Sequence, residues 1–417
     1  MLEEIKVNNE YQVSILKQDH FGNGLAKINN KLIFVNKALP GDICNIKITK
    51  VKKNYANGEI LEILQSSTIR TVPICPYYDT CGGCHIMHEE YEQQLLFKEN
   101  KVKELINKFT DLNNINYYPI VGKNQFCYRN KVIFHSKNHS LGFYQEKTND
   151  LVPVKECIIT NKSLNEVYLK VQSFLNDFPN ADIKKVMLRN TSSNEILVAL
   201  EGNIHKDEII PYLDMAPTIY LNNELIKGNG FVTEDILGIK FMIYPSSFFQ
   251  VNYDMMLVLY GIVIDFYRNN NCSKVLDLYC GTGTIGMLVS KYVNNVIGVE
   301  VESSSIKSAN ICKELNSISN IEFIEGKVED KIDLFKDVDS IIVDPPRSGL
   351  DMHTIDIIMK LNPLSIVYVS CDPATLARDL NILKEKYNVL EVHPVDMFPN
   401  TYHVETVCIL KRKIEIV

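Results

Sequence analysis

One stretch limits the architectures open to this chain more than any other: a strand, a glycine turn into a helix, and a second strand ending in an acid. Lys274-Val-Leu-Asp-Leu278 reads as a short buried strand. Tyr279-Cys-Gly-Thr-Gly-Thr-Ile-Gly286 is a glycine-rich turn that opens a helix, and Asn295–Glu300 reads as the next strand. The distance along the chain from Asp277 to Glu300 suits an acid that binds a ribose diol at the second strand end. The rhythm continues through Ile321–Glu325, Ser340–Val343, Leu364–Ser370 and Glu405–Leu410. This alternation predicts an α/β domain with a largely parallel sheet. A G-x-G turn alone also fits dinucleotide enzymes. This run, however, lacks the usual spacing to a third glycine that packs helix on strand around a pyrophosphate.

Within that rhythm, Ile366-Val-Tyr-Val-Ser370 is an uncharged, mostly β-branched strand that ends at Cys371-Asp372-Pro373. Pro373 suits the first turn of a helix through Ala374-Thr-Leu-Ala-Arg-Asp-Leu380. The strand tip places Cys371 where open α/β sheets bind ligands. A helix N-terminus there favours the thiolate, which is the nucleophilic form, whereas the adjoining Asp372 carboxylate opposes it. A buried structural cysteine is the competing reading. Val343-Asp-Pro-Pro-Arg347 closes another strand with a rigid turn suited to holding a planar base edge. Ser246-Ser-Phe-Phe-Gln-Val-Asn252 precedes the sheet without clear amphipathicity, and its two aromatics beside an amide suit a ligand or a packed connector equally. Tyr402-His-Val-Glu405 enters the last strand, where a carboxylate could reach the tip occupied by Cys371, although a surface strand residue is the better reading of Glu405 without context.

The N-terminal part reads differently. Residues 5 to about 65 hold five or so short strands separated by turn signals such as Gly22-Asn-Gly24 and Pro40-Gly-Asp42, which predicts a small OB-like barrel. Lys47, Lys50, Lys52 and Lys53 with Tyr55 make a lysine-rich rim, either an ordinary solvated edge or a nucleic-acid surface. Then comes Cys75-Pro-Tyr-Tyr-Asp-Thr-Cys81-Gly-Gly-Cys84. Three thiols this close point to a metal site. His85, Cys127 or Cys157 could complete a four-ligand set for zinc, or for an iron–sulfur cluster, which the uneven spacing favours. A helix over about His88–Lys108 follows, with Tyr91, Leu95, Val102 and Leu105 on its apolar face.

Phe126–Lys155 is basic and aromatic, with a turn at Asn138-His-Ser140. Alternation puts Tyr128, Asn130 and Val132 on one face and Arg129, Lys131 and Ile133 on the other. Interleaved aromatics and cations suit RNA, where stacking contributes ~1–3 kcal/mol per base. A second hairpin is expected over Lys184–Leu200, turning about Asn190–Asn194.

Eleven cysteines in a chain expected to be cytoplasmic point to metal or catalysis rather than disulfides. Met1–Glu10 is charged and polar, so no signal peptide is expected, and no apolar run approaches the ~20 residues of a membrane helix. A net charge of −7 argues against indiscriminate nucleic-acid binding but leaves room for a local basic surface. Three units are expected: 1–66 as the barrel, 70–245 as a mixed α+β unit bearing the thiols, and 246–417 as the α/β domain.

Taken together, Phe248-Phe-Gln-Val-Asn252, Asp277-Leu-Tyr-Cys-Gly-Thr-Gly283, Asp344-Pro-Pro-Arg347, Ser370-Cys-Asp-Pro-Ala-Thr-Leu-Ala-Arg-Asp379 and His403-Val-Glu405 resemble the RNA uracil-5-methyltransferase family. The resemblance covers essentially the whole chain. It implies a class I Rossmann-like methyltransferase domain, an N-terminal TRAM barrel over residues 5 to 65, and a central iron–sulfur domain. It implies Cys371 as nucleophile and Glu405 as base. Gln250, Tyr279, Glu300 and Asp344 match positions at the methyl donor or the donor–base junction, and Gly281, Gly283 and Thr284 belong to the same S-adenosyl-L-methionine pocket. Cys75, Cys81, Cys84 and Cys157 match the four thiolates of a 4Fe-4S cluster in the ribosomal RNA branch. Asp372 stands where many relatives carry Asn, which is expected to alter the tuning of the thiol. The tRNA branch generally lacks both barrel and cluster. The resemblance therefore implies a cytoplasmic monomer, not membrane-bound, that acts on a flipped or single-stranded uridine of large-subunit ribosomal RNA.

The residues also allow the chemistry directly. Uracil C5 attacks a sulfonium methyl poorly until a thiolate adds at C6, and a base must then remove the C5 proton so that the thiol can leave. Competing readings are a tRNA uracil-5-methyltransferase, a nucleobase amino-methyltransferase built on Asp344-Pro-Pro, and a non-catalytic iron–sulfur RNA-binding protein. A radical enzyme is disfavoured, because the thiol spacing departs from C-x3-C-x2-C.

Overall fold

The computed structural model describes residues 5–112, 114–328, 331 and 335–414. Residues 1–4 of the charged N-terminal run, and the chain end at 415–417, lie outside that description.

The glycine turn organises an eight-stranded sheet. Its spatial order is Ile321–Glu325, Asn295–Glu300, Lys274–Leu278, Ser340–Val343, Ser365–Ser370, Glu405–Arg412, Tyr387–Val395 and Asn116–Tyr117. The first five strands are parallel, and Glu405–Arg412 runs antiparallel to both of its neighbours. Six of these strands fall where the alternation places them. Tyr387–Val395 and Asn116–Tyr117 were not legible as partners, because pairing partners far apart in sequence leave no local signal. The strands are apolar on both faces, as helix-covered parallel strands must be. Val275, Val296, Ile342 and Val367 face one core, and Leu276, Ile297, Ile341 and Ile366 face the other.

Residues 5 to 65 form a six-stranded sheet in the order Glu10–Ser14, Ile43–Val51, Tyr55–Gln65, Lys31–Val35, Gly24–Ile28, Lys17–Gln18. The first strand also touches Gly24–Ile28, which brings the two ends of the sheet together. Ile33, Val35, Ile46 and Ile48 fill its interior. The middle of the chain carries a seven-stranded sheet, from Leu151–Pro153 through Ser140–Tyr144, Lys131–Lys137, Asp182–Asn190, Ile196–Asn203 and Thr218–Leu221 to Glu224–Lys227. Both expected hairpins are present. Asn138 and His139 both take positive φ in the two-residue turn, the geometry that matches strand twist. Helix Lys162–Asp177 covers this sheet with Leu164, Val167, Val171 and Phe174.

The helix expected from His88 begins at Tyr91 and runs to Phe109. Its buried face differs from the expectation. Val102 and Leu105 are buried, but so are Gln94, Lys98 and Lys101, and Leu95 is only half-buried. The polar residues face a loop that follows strand Tyr387–Val395. The Lys98 ammonium binds the Asp396 carboxylate, with both side chains fully buried, and donates to the Phe398 carbonyl at 3.0 Å. The Tyr91 hydroxyl donates to the other Asp396 oxygen at 2.9 Å. Burial pushes the Lys98 ammonium towards its neutral form, and the Asp396 charge is what opposes this. A buried pair of this kind costs most when one partner is removed. Lys98→Met should therefore lower the unfolding free energy by ~3–5 kcal/mol, read from equilibrium denaturation. A loss under ~1 kcal/mol would mean that water reaches the pair.

Candidate active site

Strand register builds the site. Ser370, the last residue of its strand, pairs with Thr406, so Cys371 emerges beside Glu405, the first residue of the antiparallel neighbour. Strand Ser340–Val343 runs parallel on the other side, and its next residue is Asp344. Three residues far apart in sequence thus meet at one strand end. Pro373 opens helix Pro373–Leu383, with Asp372 as its N-cap. One Asp372 oxygen accepts from the Ala374 and Thr375 amides at 2.9 and 3.0 Å.

That cap corrects the expectation of a thiol tuned towards thiolate. The Cys371 thiol is pushed up to about 12, first by burial, then by the Glu405 and Asp344 carboxyls. Arg347 pulls the other way, and Asp372 contributes least among these charges. The helix N-terminus is occupied by Asp372 and does not rescue the thiolate. Glu405, almost fully buried, is pushed up to about 8 by burial and then by Asp344, again with Arg347 opposing. Asp344 keeps a solvent-accessible edge yet is raised to about 7 by desolvation. A shared site for two carboxyls and a thiol disfavours charging all of them at once.

The glycine turn lies beside this tip. Tyr279, Gly281 and Gly283 all have positive φ, and a Cβ on Gly286 would lie 2.9 Å from the Asp277 carboxylate. That approach is used: the Gly286 amide donates to Asp277 at 3.0 Å. Asp277 is buried and raised to about 8 by desolvation and then by Asp344. Glu300 ends its strand as expected. One of its oxygens accepts from the Gly281 amide at 3.1 Å, and the other from Val301 and Glu302. Tyr279 leans away through its hydroxyl, 2.9 Å from Thr354 Oγ1 and 3.3 Å from Asp351. Thr284 begins the helix with its hydroxyl against Thr282. Gln250 is buried and hydrogen-bonds Tyr260, which feels the charges of Asp344, Glu405 and Asp277. Gln250, Asp277, Asp344, Glu300 and Gly281 are thus linked through shared charges and hydrogen bonds.

Several contributors carried no sequence signal as such. Loop 396–403, which delivers Glu405, is held on three sides. The Gln94 side chain accepts the Asn400 amide, the Asn400 carbonyl accepts the His85 and Ile86 amides, and Lys101 donates to the Tyr402 carbonyl. His403 stays neutral, lowered to about 3 by burial and by Arg347. Asp379 accepts from the Tyr368 hydroxyl and the Leu350 amide, and Arg378 donates to the Ser348 and Leu350 carbonyls. The two together clamp the loop after Asp344-Pro-Pro-Arg347. A lysine recurring on the apolar face of helix Tyr91–Phe109 was the one available clue to Lys98.

The four thiols Cys75, Cys81, Cys84 and Cys157 line one cavity of about 430 Å³. Each of Cys75, Cys81 and Cys84 feels the charge of Cys157. Cys127 is exposed and His85 stacks on Tyr402, so neither joins them. Among the described residues, no three His, Cys, Asp or Glu side chains are grouped to hold a metal ion. Gly82 is required here, because a Cβ would lie 2.9 Å from the Glu146 amide nitrogen.

Comparison with known proteins places this geometry. The family model described as tRNA (Uracil-5-)-methyltransferase matches residues 217–413, and the TRAM domain model matches residues 5–61. A Clostridium acetobutylicum protein named an uncharacterized RNA methyltransferase is 36% identical, with 98% of each chain covered. Another so named, from Caldanaerobacter subterraneus subsp. tengcongensis, is 33% identical over 99% of this chain and 100% of its own. The solved structure of Pyrococcus abyssi tRNA (uracil-54, C5)-methyltransferase with S-adenosyl-L-homocysteine matches at a TM-score of 0.79 and 25% identity, covering 96% of this chain and 100% of that one.

The raised thiol has a measurable consequence. In the free protein at neutral pH, Cys371 should react with iodoacetamide far more slowly than an unperturbed cysteine, by peptide mass spectrometry. Above the Glu405 titration near 8, Glu405→Gln should speed alkylation of Cys371 by removing the nearest negative charge. Fast alkylation of the parent protein at neutral pH would contradict this electrostatic picture.

Proposed function

The chain belongs to the TRAM-bearing RNA (uracil-5-)-methyltransferase family, and from that premise we propose that it methylates C5 of a uridine in large-subunit ribosomal RNA, with Cys371 as nucleophile and Glu405 as base. The observation that carries the roles is the pairing of Ser370 with Thr406, which sets the thiol and the buried carboxyl at one strand end. Bound S-adenosylmethionine supplies the methyl group and a sulfonium cation. Glu300 and the Gly281–Gly283 turn are assigned to its ribose, and Asp277, Asp344 and Gln250 to the floor beneath the donor and the base. A cation among Asp277, Asp344 and Glu405 favours their ionised forms and offsets the charges that hold Cys371 protonated.

Cys371 Sγ then bonds to C6 of the flipped uracil, and the C5–C6 π electrons move to the C4 carbonyl as an enolate. The enolate's electrons return through C5, which bonds to the methyl carbon as that carbon's bond to the donor sulfur breaks and S-adenosylhomocysteine is left. Glu405 accepts the C5 proton, the C5–C6 double bond re-forms, and the C6–S bond breaks to return the thiolate. Base flipping costs a few kcal/mol, which the barrel and the basic hairpin offset by holding the strand.

The four thiols are proposed to hold a 4Fe-4S cluster. Supporting this are their shared cavity, their mutual electrostatic coupling and the apolar wall of Tyr78, Met87, Tyr128 and Ile159 around them. Four thiolates are the ligand count of such a cluster. When bound it would crosslink the 75–84 loop to Cys157, and nothing in the methylation requires it to carry electrons. The division into units at 1–66, 70–245 and 246–417 is supported by the six-, seven- and eight-stranded sheets, although helix Tyr91–Phe109, strand Asn116–Tyr117 and a further two-stranded sheet, Val232–Ile236 with Ile239–Ile243, all pack with the last unit.

A second reading, tRNA, is favoured by the Pyrococcus abyssi protein, since it is named for tRNA and covers 96% of this chain. Transcripts of large-subunit ribosomal RNA and of tRNA carrying 5-fluorouridine separate the two. A covalent adduct is expected with the ribosomal transcript and none with Cys371→Ser. On unmodified RNA, Glu405→Gln should accumulate a methylated adduct that does not release. Undiminished methylation by Cys371→Ser would end the nucleophile assignment, and adducts confined to tRNA would move the substrate to the second reading. For the thiol site, protein purified without oxygen should contain iron and acid-labile sulfide, and Cys157→Ser should lower both while affinity for S-adenosylmethionine holds. Iron-free, folded protein with full RNA affinity would show that RNA binding does not need that crosslink.

A further inference from the structure

The antiparallel register of the central sheet concentrates cations on one face. Arg189 lies directly opposite Lys131, and Lys185 opposite His135, so all four side chains share that face with Ile133 and Met187. Arg129 precedes the same strand. Burial drives the Lys131 ammonium down to about 8, helped by Arg189, Arg129 and Lys185. Such crowding is unexpected in a chain of net charge −7 unless an anion is to come.

Arg189 makes the point most sharply. It is 2% exposed, and its Nε, Nη1 and Nη2 have no hydrogen-bond partner among the described residues. Only Glu234 offsets its desolvation, and that carboxylate is already accepting from the Ser192 amide and hydroxyl. A buried guanidinium with no acceptor is costly, so its retention calls for a ligand.

Two hollows flank the ridge. One is the cavity of about 430 Å³ that the four thiols also line; Arg129, Lys131 and Arg189 border it together with Phe248, which is 72% exposed two residues before Gln250. The other, of about 540 Å³, is lined by Lys131, Lys185, Tyr220 and Tyr244, with Lys307 of helix Ser303–Leu315 on its other wall. The ridge therefore continues from the active site outward between two folded units.

We propose that the ridge Arg129–Lys131–Arg189–Lys185, with Lys307 facing it across the groove, seats the RNA phosphodiester backbone flanking the target uridine. This rests on the reading of the chain as an RNA methyltransferase, but on neither choice of RNA nor on Cys371. Phosphates supply the missing acceptors, Tyr220 and Tyr244 offer stacking faces, and the strand passes Phe248 on its way to Gln250.

The test uses the full chain and a polyuridylate probe, with affinity measured across a salt series. Lys185→Gln with Lys307→Gln should lower affinity and make the salt dependence shallower by about 1.4 in log–log slope, at ~0.7 per single-strand phosphate contact. Affinity for S-adenosylmethionine, by calorimetry, should stay unchanged and so report an intact fold. Glu201→Gln frees Lys185 from its 2.7 Å ion pair and should tighten binding. An unaltered slope and affinity in the double variant, or no gain in Glu201→Gln, would overturn the proposal. Because the exposed lysines carry the test, it does not depend on whether an Arg189 variant folds. Cys371→Ser should bind the probe like the parent, which separates failure of this track from failure of the catalytic assignment.

Discussion

The buried Lys98–Asp396 pair is the constraint on which the rest of the site depends. It joins a helix from the first third of the chain to the loop that feeds the last strand. Everything downstream inherits its position from that joint. Asn400 reaches back to Gln94 and to the amides beside the thiol cluster, Tyr402 accepts from Lys101, and Glu405 follows within three residues. A charge pair sealed from water has few alternative arrangements, because every alternative leaves one charge unpaired. An apolar contact of the same size would hold the helix but would not select one orientation of the loop as narrowly. The thiol site and the methyl-transfer site are thus mechanically adjacent even though Cys84 and Glu405 stand far apart in sequence.

The second organising fact is desolvation of the acidic groups at the strand tips, to which their neighbouring carboxyls add. Asp277, Asp344 and Glu405 are each raised well above ordinary carboxyls, and Cys371 sits above an ordinary thiol. Arg347 is the cation that opposes the charge on both Cys371 and Glu405. Cys371 and Glu405 both lean towards their protonated forms, which slows oxidation and stray alkylation of the thiol. On the proposed reading, the cation of a methyl donor would offset the carboxyl charges that bear on Cys371. Preorganisation of this kind places the cost of crowding like charges in the folding of the protein rather than in each turnover.

The cationic ridge on the central sheet is the counterpart. There the imbalance is positive, and Arg189 stands buried without an acceptor. The two regions lie on either side of Phe248–Asn252, whose backbone is tied to the hairpin through the Asn130 amide and the Val251 carbonyl, and whose Asn252 side chain reaches Met397. That short connector, irregular by itself, is the place where an RNA strand held by phosphate contacts would be passed to a pocket that prefers cations. Sorting by charge along one path explains how an acidic protein can act on a polyanion.

Much of this was written locally. Periodicity gave the parallel strands, the glycine turn gave the helix start at Thr284, and Pro373 gave the helix after Cys371, since each depends on residues within a few positions of one another. The spacing of Cys75, Cys81 and Cys84 likewise marked a thiol site. What the sequence alone could not decide was pairing: that Tyr387–Val395 joins the sheet, that Lys98 meets Asp396, that Lys131 faces Arg189, and that Cys371 rests as a thiol. Asp372 opposes the thiolate as its position suggests, but as a helix cap it contributes less than Glu405 and Asp344, which only the fold brings to the sulfur. Local residues determine which elements form, because helix, strand and turn preferences act over one or two turns of chain. Ionisation and long-range contact are set by what burial brings together, and only the folded chain decides that.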